Sequence, residues 1–148
     1  MNISESIAAQ VSESYHTHDR NCASTSLHIL SDRFQVELSS QVVDAATGMW
    51  GAGGYRAQCG LVEGPLMFIG IYGKVMGCSD QRIGEFCKQF AELFEKQCSS
   101  LLCKELRPQG FNPKNPPHLC EPLSRRLIEF QIDFVTGMKE TILSESDE

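Results

Sequence analysis

The chain carries four cysteines that share one local setting: Cys22, Cys59, Cys98 and Cys120. The hydrophobic pattern places each of them at or beside the N-terminus of a predicted helix. Unpaired backbone N–H groups and the positive end of the helix dipole favour thiolate over thiol at such positions. Reactive and metal-binding cysteines acquire lowered pKa values in this way, so these residues form a candidate catalytic and metal-ligating set.

Two charged neighbours of Cys59 act in opposite directions on that sulfur. Arg56 precedes Cys59 by three residues and would stabilise its thiolate. Glu63 follows Cys59 by about one helical turn and would oppose the thiolate, unless it binds a cation or carries a proton. The alternative for Glu63 is a carboxylate at a helix end that faces water.

The spacing of these cysteines bears on the choice of metal. No two of them form a Cys-x-x-Cys pair, which excludes a zinc ribbon and a bacterial ferredoxin run. Folding would have to assemble the site, with one ligand from each of four distant helix starts. Cys78, Cys87 and Cys103 lack this setting. Cys87, beside Phe86 on a packed helix, is predicted to be a core thiol.

A glycine-rich stretch leads from the only tryptophan, Trp50, towards Cys59. Glycine permits positive φ and a close approach to another group, so the stretch predicts the floor of a site. It lacks the ending of a P-loop, and Arg56 stands where a dinucleotide fingerprint needs its third glycine. An ordinary tight turn is the alternative. The candidate cofactor-binding glycines are Gly51, Gly53, Gly54, Gly60 and Gly64.

Histidines offer a second type of metal ligand. His16 and His18 lie close in sequence to Cys22 and could point the same way in an extended segment. A metal role would require both to be buried, and the alternative is two solvated histidines at a helix end. His28 and His118 carry no better signal.

The length of 148 residues predicts one domain with a substantial core. We expect a single helical domain over residues 1–143 and a frayed acidic tail over residues 144–148. The net charge of −6 and the isoelectric point near 5.2 argue against a nucleic-acid partner, because phosphate binding needs clustered Lys and Arg.

Two features predict a cytoplasmic protein without membrane insertion. Residues 1–10 have neither the positive nor the apolar region of a secretory signal. The most apolar run, residues 61–72, is interrupted by Gly, Pro and Glu and is shorter than the ~20 residues that span a bilayer. In a reducing compartment, seven cysteines are typical of metal binding, redox chemistry or plain packing.

Apolar residues at three- and four-residue steps predict an all-α fold. The clearest stripe follows the Ser79-Asp80 cap and includes Ile83, Phe86 and Phe90. Further helices are expected over residues 2–15, 21–34, 40–46 and 59–73, with a turn or two over 99–106 and a last helix after Cys120. Residues 108–117, which hold four of the six prolines, should be a surface loop. The expected architecture is a compact single-domain bundle of about five to six helices.

Taken in order, these residues resemble those of one known family. They are Asn21-Cys22-Ala23, then Cys59-Gly60-Leu61-Val62-Glu63-Gly64 after the glycine stretch, then Cys98-Ser99-Ser100-Leu101-Leu102, and then an isolated Cys120. Their order and spacing are similar to those of the C_GCAxxG_C_C family, which is defined by four cysteines and a Cys-Gly-Ala-x-x-Gly motif. The resemblance covers almost the whole chain and places the motif cysteines at Cys22, Cys59, Cys98 and Cys120.

The resemblance implies a small helical prokaryotic protein with redox activity, often encoded near transporters. It also implies a likeness to the non-haem part of split-Soret cytochromes, where an iron–sulfur cluster has been considered. Leu61 replaces the motif's alanine and could narrow the space beside Cys59. Pro65 stands where a small helix former is usual, and it should either remove one helical hydrogen bond and kink the segment or shift the helix start to Gly64.

Two classes of function follow from these observations. In the first, the four motif cysteines converge as iron–sulfur or other metal ligands, or as dithiol/disulfide pairs, and serve electron transfer or redox sensing. The partner would be a redox protein or a transporter-associated system. In the second, the cysteines are structural or hold zinc, and the glycine stretch with Trp50 forms a module that binds a small ligand or a protein. A homodimer is compatible with both.

Overall fold

The computed structural model describes residues 2–107 and 112–146. Over these residues the chain forms seven helices and no β-strand, which confirms the all-α prediction. The helices are α1 (Ile3–Ser12), α2 (Cys22–Phe34), α3 (Ser40–Ala45), α4 (Gly60–Val75), α5 (Asp80–Cys98), α6 (Cys103–Leu106) and α7 (Glu121–Ser146). The count exceeds the expected five to six when the short α3 and α6 are both included. None of these described helices combines the length and apolar composition needed to cross a bilayer.

Side-chain caps explain where the longer helices begin. Oδ1 of Asn21 accepts a hydrogen bond from the N–H of Ser24 at 2.8 Å, at the start of α2. Oγ of Ser79 accepts one from the N–H of Arg82 at 3.1 Å, at the start of α5. Asn2 forms a reciprocal capping box at α1. These bonds satisfy N–H groups that a helix leaves unpaired, and they confirm the starts predicted for α2 and α5.

Helices α2 and α4 lie side by side because α4 has glycine at the contact. A Cβ on Gly64 would lie 2.4 Å from the carbonyl oxygen of Ala23, so no side chain fits there. Towards the C-terminal end of α2, the ring centroid of Phe34 lies 5.9 Å from that of Phe68 and 5.4 Å from that of Tyr72, in the second half of α4. The two helices therefore run in the same direction, with both starts at one end.

Helices α5 and α7 pack through an aromatic seam, which consists of Phe90, Phe94, Phe130 and Phe134. Phe90 and Phe94 are fully buried. The ring centroid of Phe90 lies 5.4 Å from that of Phe130 and 5.3 Å from that of Phe134. Aromatic pairs at such distances add to the stabilisation that burial alone provides. The apolar stripe predicted for α5 therefore faces the core.

Pro65 lies inside α4, and the helix continues through it from Gly60 to Val75. Any other residue at this position would donate its N–H to the carbonyl of Leu61, four residues earlier. Nε2 of the fully buried Gln131 on α7 donates to that carbonyl instead, at 3.1 Å. Of the two outcomes expected for Pro65, the lost helical bond is therefore correct and a shift of the helix start to Gly64 is wrong.

One predicted boundary near the cysteines needs correction. Helix α5 continues to Cys98, and Ser99 caps it in the left-handed conformation with φ 67°. The helix expected over residues 99–106 is therefore reduced to α6. Helix α7 reaches Ser146, within the predicted acidic tail, and residues 147–148 lie outside the described residues. In the predicted loop, residues 112–117 are irregular, and residues 108–111 lie outside the described residues.

Candidate thiol site

Cys59 and Cys103 are brought together by two short segments that pair with one another through an isolated antiparallel bridge. The N–H of Cys59 donates to the carbonyl of Leu101 at 2.8 Å, and the N–H of Cys103 donates to the carbonyl of Ala57 at 2.7 Å. Each cysteine also starts a helix, since Cys59 is the N-cap of α4 and Cys103 is the first residue of α6. Two helix starts therefore meet at this pairing.

Cys22 begins α2, and its sulfur rests on the backbone of α4. A Cβ added to Gly60 would lie 2.3 Å from Sγ of Cys22. Any residue with a side chain at position 60 would therefore have to displace the sulfur of Cys22. Asn21 links the start of α2 to the segment before the glycine stretch. Its Nδ2 donates to the carbonyl groups of Ala46 and Thr47, at 3.1 and 3.0 Å.

The glycine stretch forms one left-handed turn. Its residues Gly51, Ala52, Gly53 and Gly54 have φ values of 68°, 56°, 66° and 85°. Glycine adopts this conformation far more readily than other residues, as the sequence led us to expect. A Cβ on Gly51 would lie 3.2 Å from Cβ of Cys103, and Gly54 packs against the indole of Trp50. The turn thus lies against a cysteine, and its part in cofactor binding stays a prediction.

A cavity of about 500 Å³ opens beside these helix starts. Cys22, Cys103 and Cys120 line it, and Cys59, only 5% exposed, is buried next to them. We call Cys22, Cys59, Cys103 and Cys120 the thiol site. Other side chains in the cavity wall are those of Tyr15, Arg20, Trp50, Arg107 and His118.

Burial controls the ionisation of the thiol site. It is the largest cause that raises the pKa of all four thiols, to about 12 for Cys22. Negative charge on one thiol also raises the pKa of others: Cys120 and Cys103 act on Cys22, and Cys22 acts on Cys59. Backbone N–H groups at the helix starts lower the pKa values of Cys22 and Cys59, but by less. The lowered thiol pKa values predicted from helix starts are therefore wrong, because desolvation outweighs the helix ends.

Cys103 has two guanidinium groups nearby. Burial raises its pKa most, but Arg107 and Arg56 both lower it, and Arg107 also lowers the pKa of Cys120. Arg56 was expected to act on Cys59. Arg56 lowers the pKa of Cys103 because the segment that contains Arg56 pairs with the start of α6, where the N–H of Lys104 donates to the Arg56 carbonyl at 3.2 Å. Its effect on Cys59 stays a prediction.

Glu63 is half-buried on the first turn of α4. Burial raises the pKa of its carboxyl group, and Nε2 of Gln58 donates a hydrogen bond to its Oε1. A raised pKa favours the protonated carboxyl. Burial therefore moves Glu63 in the direction of the protonated form, and its effect on a thiolate at Cys59 stays a prediction.

Tyr15 lies at the same cavity, although the sequence did not single it out. A π-helical turn, Glu13–Thr17, follows α1 and leaves Tyr15 only 3% exposed. Its hydroxyl and Oγ of Ser124 lie 2.5 Å apart, and its ring stacks on that of His118 at 4.5 Å between centroids. Burial raises the pKa of Tyr15, and charge on Cys22 acts in the same sense. Ile3, Ile7 and Val11 recur at four-residue steps and Tyr15 is the next position in that series, which is the signal that could have found it.

The two histidines considered as metal ligands lie at the surface. The side chains of His16 and His18 are 55% and 44% exposed, and Nε2 of His16 lies 3.0 Å from Oε2 of Glu121. Burial was the condition for a metal role, so the alternative of solvated histidines is correct. His118, which had no distinguishing signal, is the histidine in the cavity wall, and its Nε2 lies 3.0 Å from Oδ1 of Asp19.

A family profile described as "Putative redox-active protein (C_GCAxxG_C_C)" matches residues 20–133. This chain belongs to the C_GCAxxG_C_C family. The matched segment contains the whole thiol site and also Cys98, and the description gives redox activity as the property of the family. Neither a curated relative nor a solved structure matches the chain.

In this member of the C_GCAxxG_C_C family, the two motif glycines are packing positions. Gly60 and Gly64 lie one helical turn apart on α4, against Cys22 and Ala23 at the start of α2. Leu61, which replaces the motif's alanine, is fully buried in the core. The motif therefore fixes how closely two cysteine-bearing helix starts approach each other.

Cys98, a motif cysteine by resemblance to the C_GCAxxG_C_C family, ends α5 instead of starting a helix. Burial raises its pKa, and Arg126, which forms a hydrogen bond with it, lowers it. In the part of the chain that the structure describes, Cys103 lines the cavity and Cys98 does not. The sequence held the signal, since Cys98 continues the four-residue steps of Phe90 and Phe94 on the core face of α5.

The thiol site matches a thiolate-bound metal in its donor chemistry. Iron–sulfur clusters and structural zinc both use cysteine sulfur, and four sulfurs are the usual number. Within residues 2–107 and 112–146, no group of three or more His, Cys, Asp or Glu side chains is arranged as a ready cation site. Ligation would therefore require the thiols to lose their protons and the side chains to rotate towards one another.

Proposed function

We propose that this protein is an electron-transfer or redox-sensing member of its family, and that its thiol site holds a redox-active metal. The centre would be an iron–sulfur cluster with Cys22, Cys59, Cys103 and Cys120 as ligands. The observation that carries the proposal is that thiols from four helix starts lie close enough to raise one another's pKa values. In this proposal Cys103 takes the place of Cys98 in the ligand set.

The ionisation of the thiol site favours metal ligation over thiol–disulfide exchange. Exchange begins with attack by a thiolate, so an efficient exchange site holds a thiol whose pKa is near or below neutral. Burial raises the pKa of every thiol at this site instead. A metal cation supplies the positive charge that buried sulfurs need in order to stay deprotonated.

Several features of the chain would support such a centre. Backbone N–H groups at the starts of α2 and α4 lower the pKa values of Cys22 and Cys59, and they favour negative charge there. Arg56 and Arg107 do the same for Cys103. When bound, an iron–sulfur cluster supplies one-electron transfer. The cavity leaves one side of the thiol site open, where a redox protein or a transporter-associated system could exchange electrons with it.

The test is purification without oxygen, followed by assays of iron, acid-labile sulfide and visible absorption. We expect both elements in fixed ratio to protein. Single substitutions of Cys22, Cys59, Cys103 or Cys120 by Ala should each remove most of the bound iron. Cys98→Ala and Cys87→Ala are matched controls, because each removes a half-buried thiol elsewhere and should leave the iron content unchanged. Far-UV circular dichroism checks that every variant is folded.

The outcomes separate the alternatives. Iron lost in Cys98→Ala and kept in Cys103→Ala would contradict the ligand assignment. Zinc without iron or sulfide would make the site structural and overturn the redox proposal. Folded protein that takes up no metal after anaerobic reconstitution with iron and sulfide would also overturn it, and a reversible disulfide under the same conditions would then favour the dithiol alternative.

A further inference from the structure

The cavity beside the thiol site has the lining of a small-molecule pocket. Its volume of about 500 Å³ lies within the ~300–1,000 Å³ range of such pockets. Three aromatic residues, Tyr15, Trp50 and His118, contribute to its lining. A mostly apolar lining with a few polar groups at fixed places is the usual composition of a site for an organic ligand. Cysteine ligation of a metal does not require any of these rings.

The charged side chains of the lining are predominantly positive. Arg20 and Arg107 both contribute to the wall, in a chain whose net charge is −6. Arg20 is half-buried, and its Nη1 donates to the neutral hydroxyl of Ser14 at 3.1 Å. Asp19 is the acidic residue of the wall, and its Oδ1 lies 3.0 Å from Nε2 of His118. The guanidinium of Arg20 therefore keeps donor capacity for a further, anionic partner.

We infer that this cavity binds a small organic acid, with a flat apolar body against Trp50 and a carboxylate at Arg20. Arginine pairs with carboxylates through two parallel N–H donors, and partial burial strengthens the pair. The aromatic walls would take the apolar body of the ligand. The inference goes beyond the proposed redox function, because ligand binding here needs the shape and charge of the cavity and does not need a bound metal.

Three probes of nearly equal size and shape test the charge requirement: benzoate, benzamide and benzamidine, which are anionic, neutral and cationic. They are titrated into metal-free, reduced protein at neutral pH. Trp50 is the only tryptophan, so its single indole N–H resonance reports binding at the cavity, and calorimetry gives the affinity. We expect benzoate to shift this resonance and to bind about tenfold more tightly than benzamide, because only its carboxylate can accept charge-assisted hydrogen bonds from the Arg20 guanidinium. Benzamidine should bind most weakly.

Arg20→Met is the decisive variant, since it keeps an apolar stem and removes the charge. It should reduce the preference for benzoate over benzamide to less than about threefold. Arg33→Met is the control, because Arg33 lies at the other end of α2 and lines a different pocket. Equal affinities for the three probes, an unshifted indole resonance, or an unchanged preference in Arg20→Met would each overturn the inference. Because the assay uses metal-free protein, failure here leaves the iron measurement unaffected, and the reverse holds too.

Discussion

The aromatic seam and the thiol site are both built from helices of one core, but their side chains interact in opposite ways. At the seam, Phe90 and Phe94 are fully buried against rings of α7, and each contact favours the folded state. At the thiol site, burial and neighbouring charge raise the pKa values of the sulfurs, and the adjacent turn has positive φ at four consecutive residues. The comparison suggests that the seam stabilises the fold, and that this stability allows the thiol site to keep buried sulfurs and a turn with positive φ.

The largest expected effect is at the seam. Phe90→Ala should lower the free energy of unfolding by about 3–5 kcal/mol, because it removes a fully buried ring and leaves a cavity. Urea denaturation of metal-free protein measures this loss. Leu93→Ala, on the same helix but with 46% of its surface exposed, is the control and should cost far less. Similar losses for both variants would mean that the seam is not the main source of stability.

The thiol site should respond to pH where the seam does not. A thiol whose folded pKa exceeds its unfolded value of ~8.5 holds its proton more tightly in the folded state. The contribution of the thiols to the stability of metal-free, reduced protein should therefore be fully present below that value and should be lost as pH rises above it towards the folded pKa, about 12 for Cys22. The limiting slope is about 1.4 kcal/mol per pH unit for each such thiol.

Denaturation midpoints between about pH 7 and 9 measure this slope, in a window that ends a full unit below the ordinary tyrosine pKa of ~10. Cys22→Ala should make the decline shallower. Phe90→Ala should lower the whole curve and keep its slope, so the pair separates the two regions. A stability that rises with pH in this window would contradict the raised thiol pKa values.

Close packing at the thiol site gives the next prediction. Gly60→Ala would place Cβ 2.3 Å from Sγ of Cys22 and 2.9 Å from the backbone nitrogen of Ala23. We expect a loss of about 1–3 kcal/mol in unfolding free energy, together with reduced metal uptake, because the sulfur has to move. Gly70→Ala is a matched control on the same helix, where a new Cβ meets nothing within 4 Å. It should be neutral or stabilising, since alanine favours the helix, and equal effects of the two variants would refute the packing argument.

The same division explains what the sequence could predict. Phe86, Phe90 and Phe94 recur at helical steps, and helical periodicity is a local property, so the start and core face of α5 were predicted correctly. Caps such as Asn21 are local as well. The same periodicity reaches Cys98, where α5 ends, although Cys98 was predicted to precede a helix.

The thiol site depends on contacts between distant segments, which local patterns do not specify. Cys103 lies beside Cys59 because its N–H bonds to the carbonyl of Ala57 across the isolated bridge. The raised thiol pKa values depend on how many groups bury each sulfur, and the sequence offers no measure of that number. Cys22 and Cys120 could be selected as candidates from the sequence because the signals of a helix start are local. The cavity that both residues line is visible only in the folded chain.

The smallest expected effect concerns the link between α4 and α7. Gln131→Leu removes the donor to the Leu61 carbonyl, which Pro65 cannot supply. A buried carbonyl without a partner usually costs about 1–3 kcal/mol. We expect about 1 kcal/mol, because Oε1 of Gln131 has no hydrogen-bond partner among the described residues and its removal offsets part of the loss.

A double-mutant cycle with Pro65→Ala tests this account by urea denaturation. Alanine at position 65 restores an N–H that can bond to the Leu61 carbonyl within the helix. In that background, Gln131→Leu should be neutral or stabilising, since it then removes only an unsatisfied amide oxygen from the core. The coupling between the two positions should therefore be about 1 kcal/mol, as expected for residues that share one hydrogen bond. Additive losses would mean that Gln131 stabilises the core by its volume alone and does not replace the helical bond lost at Pro65.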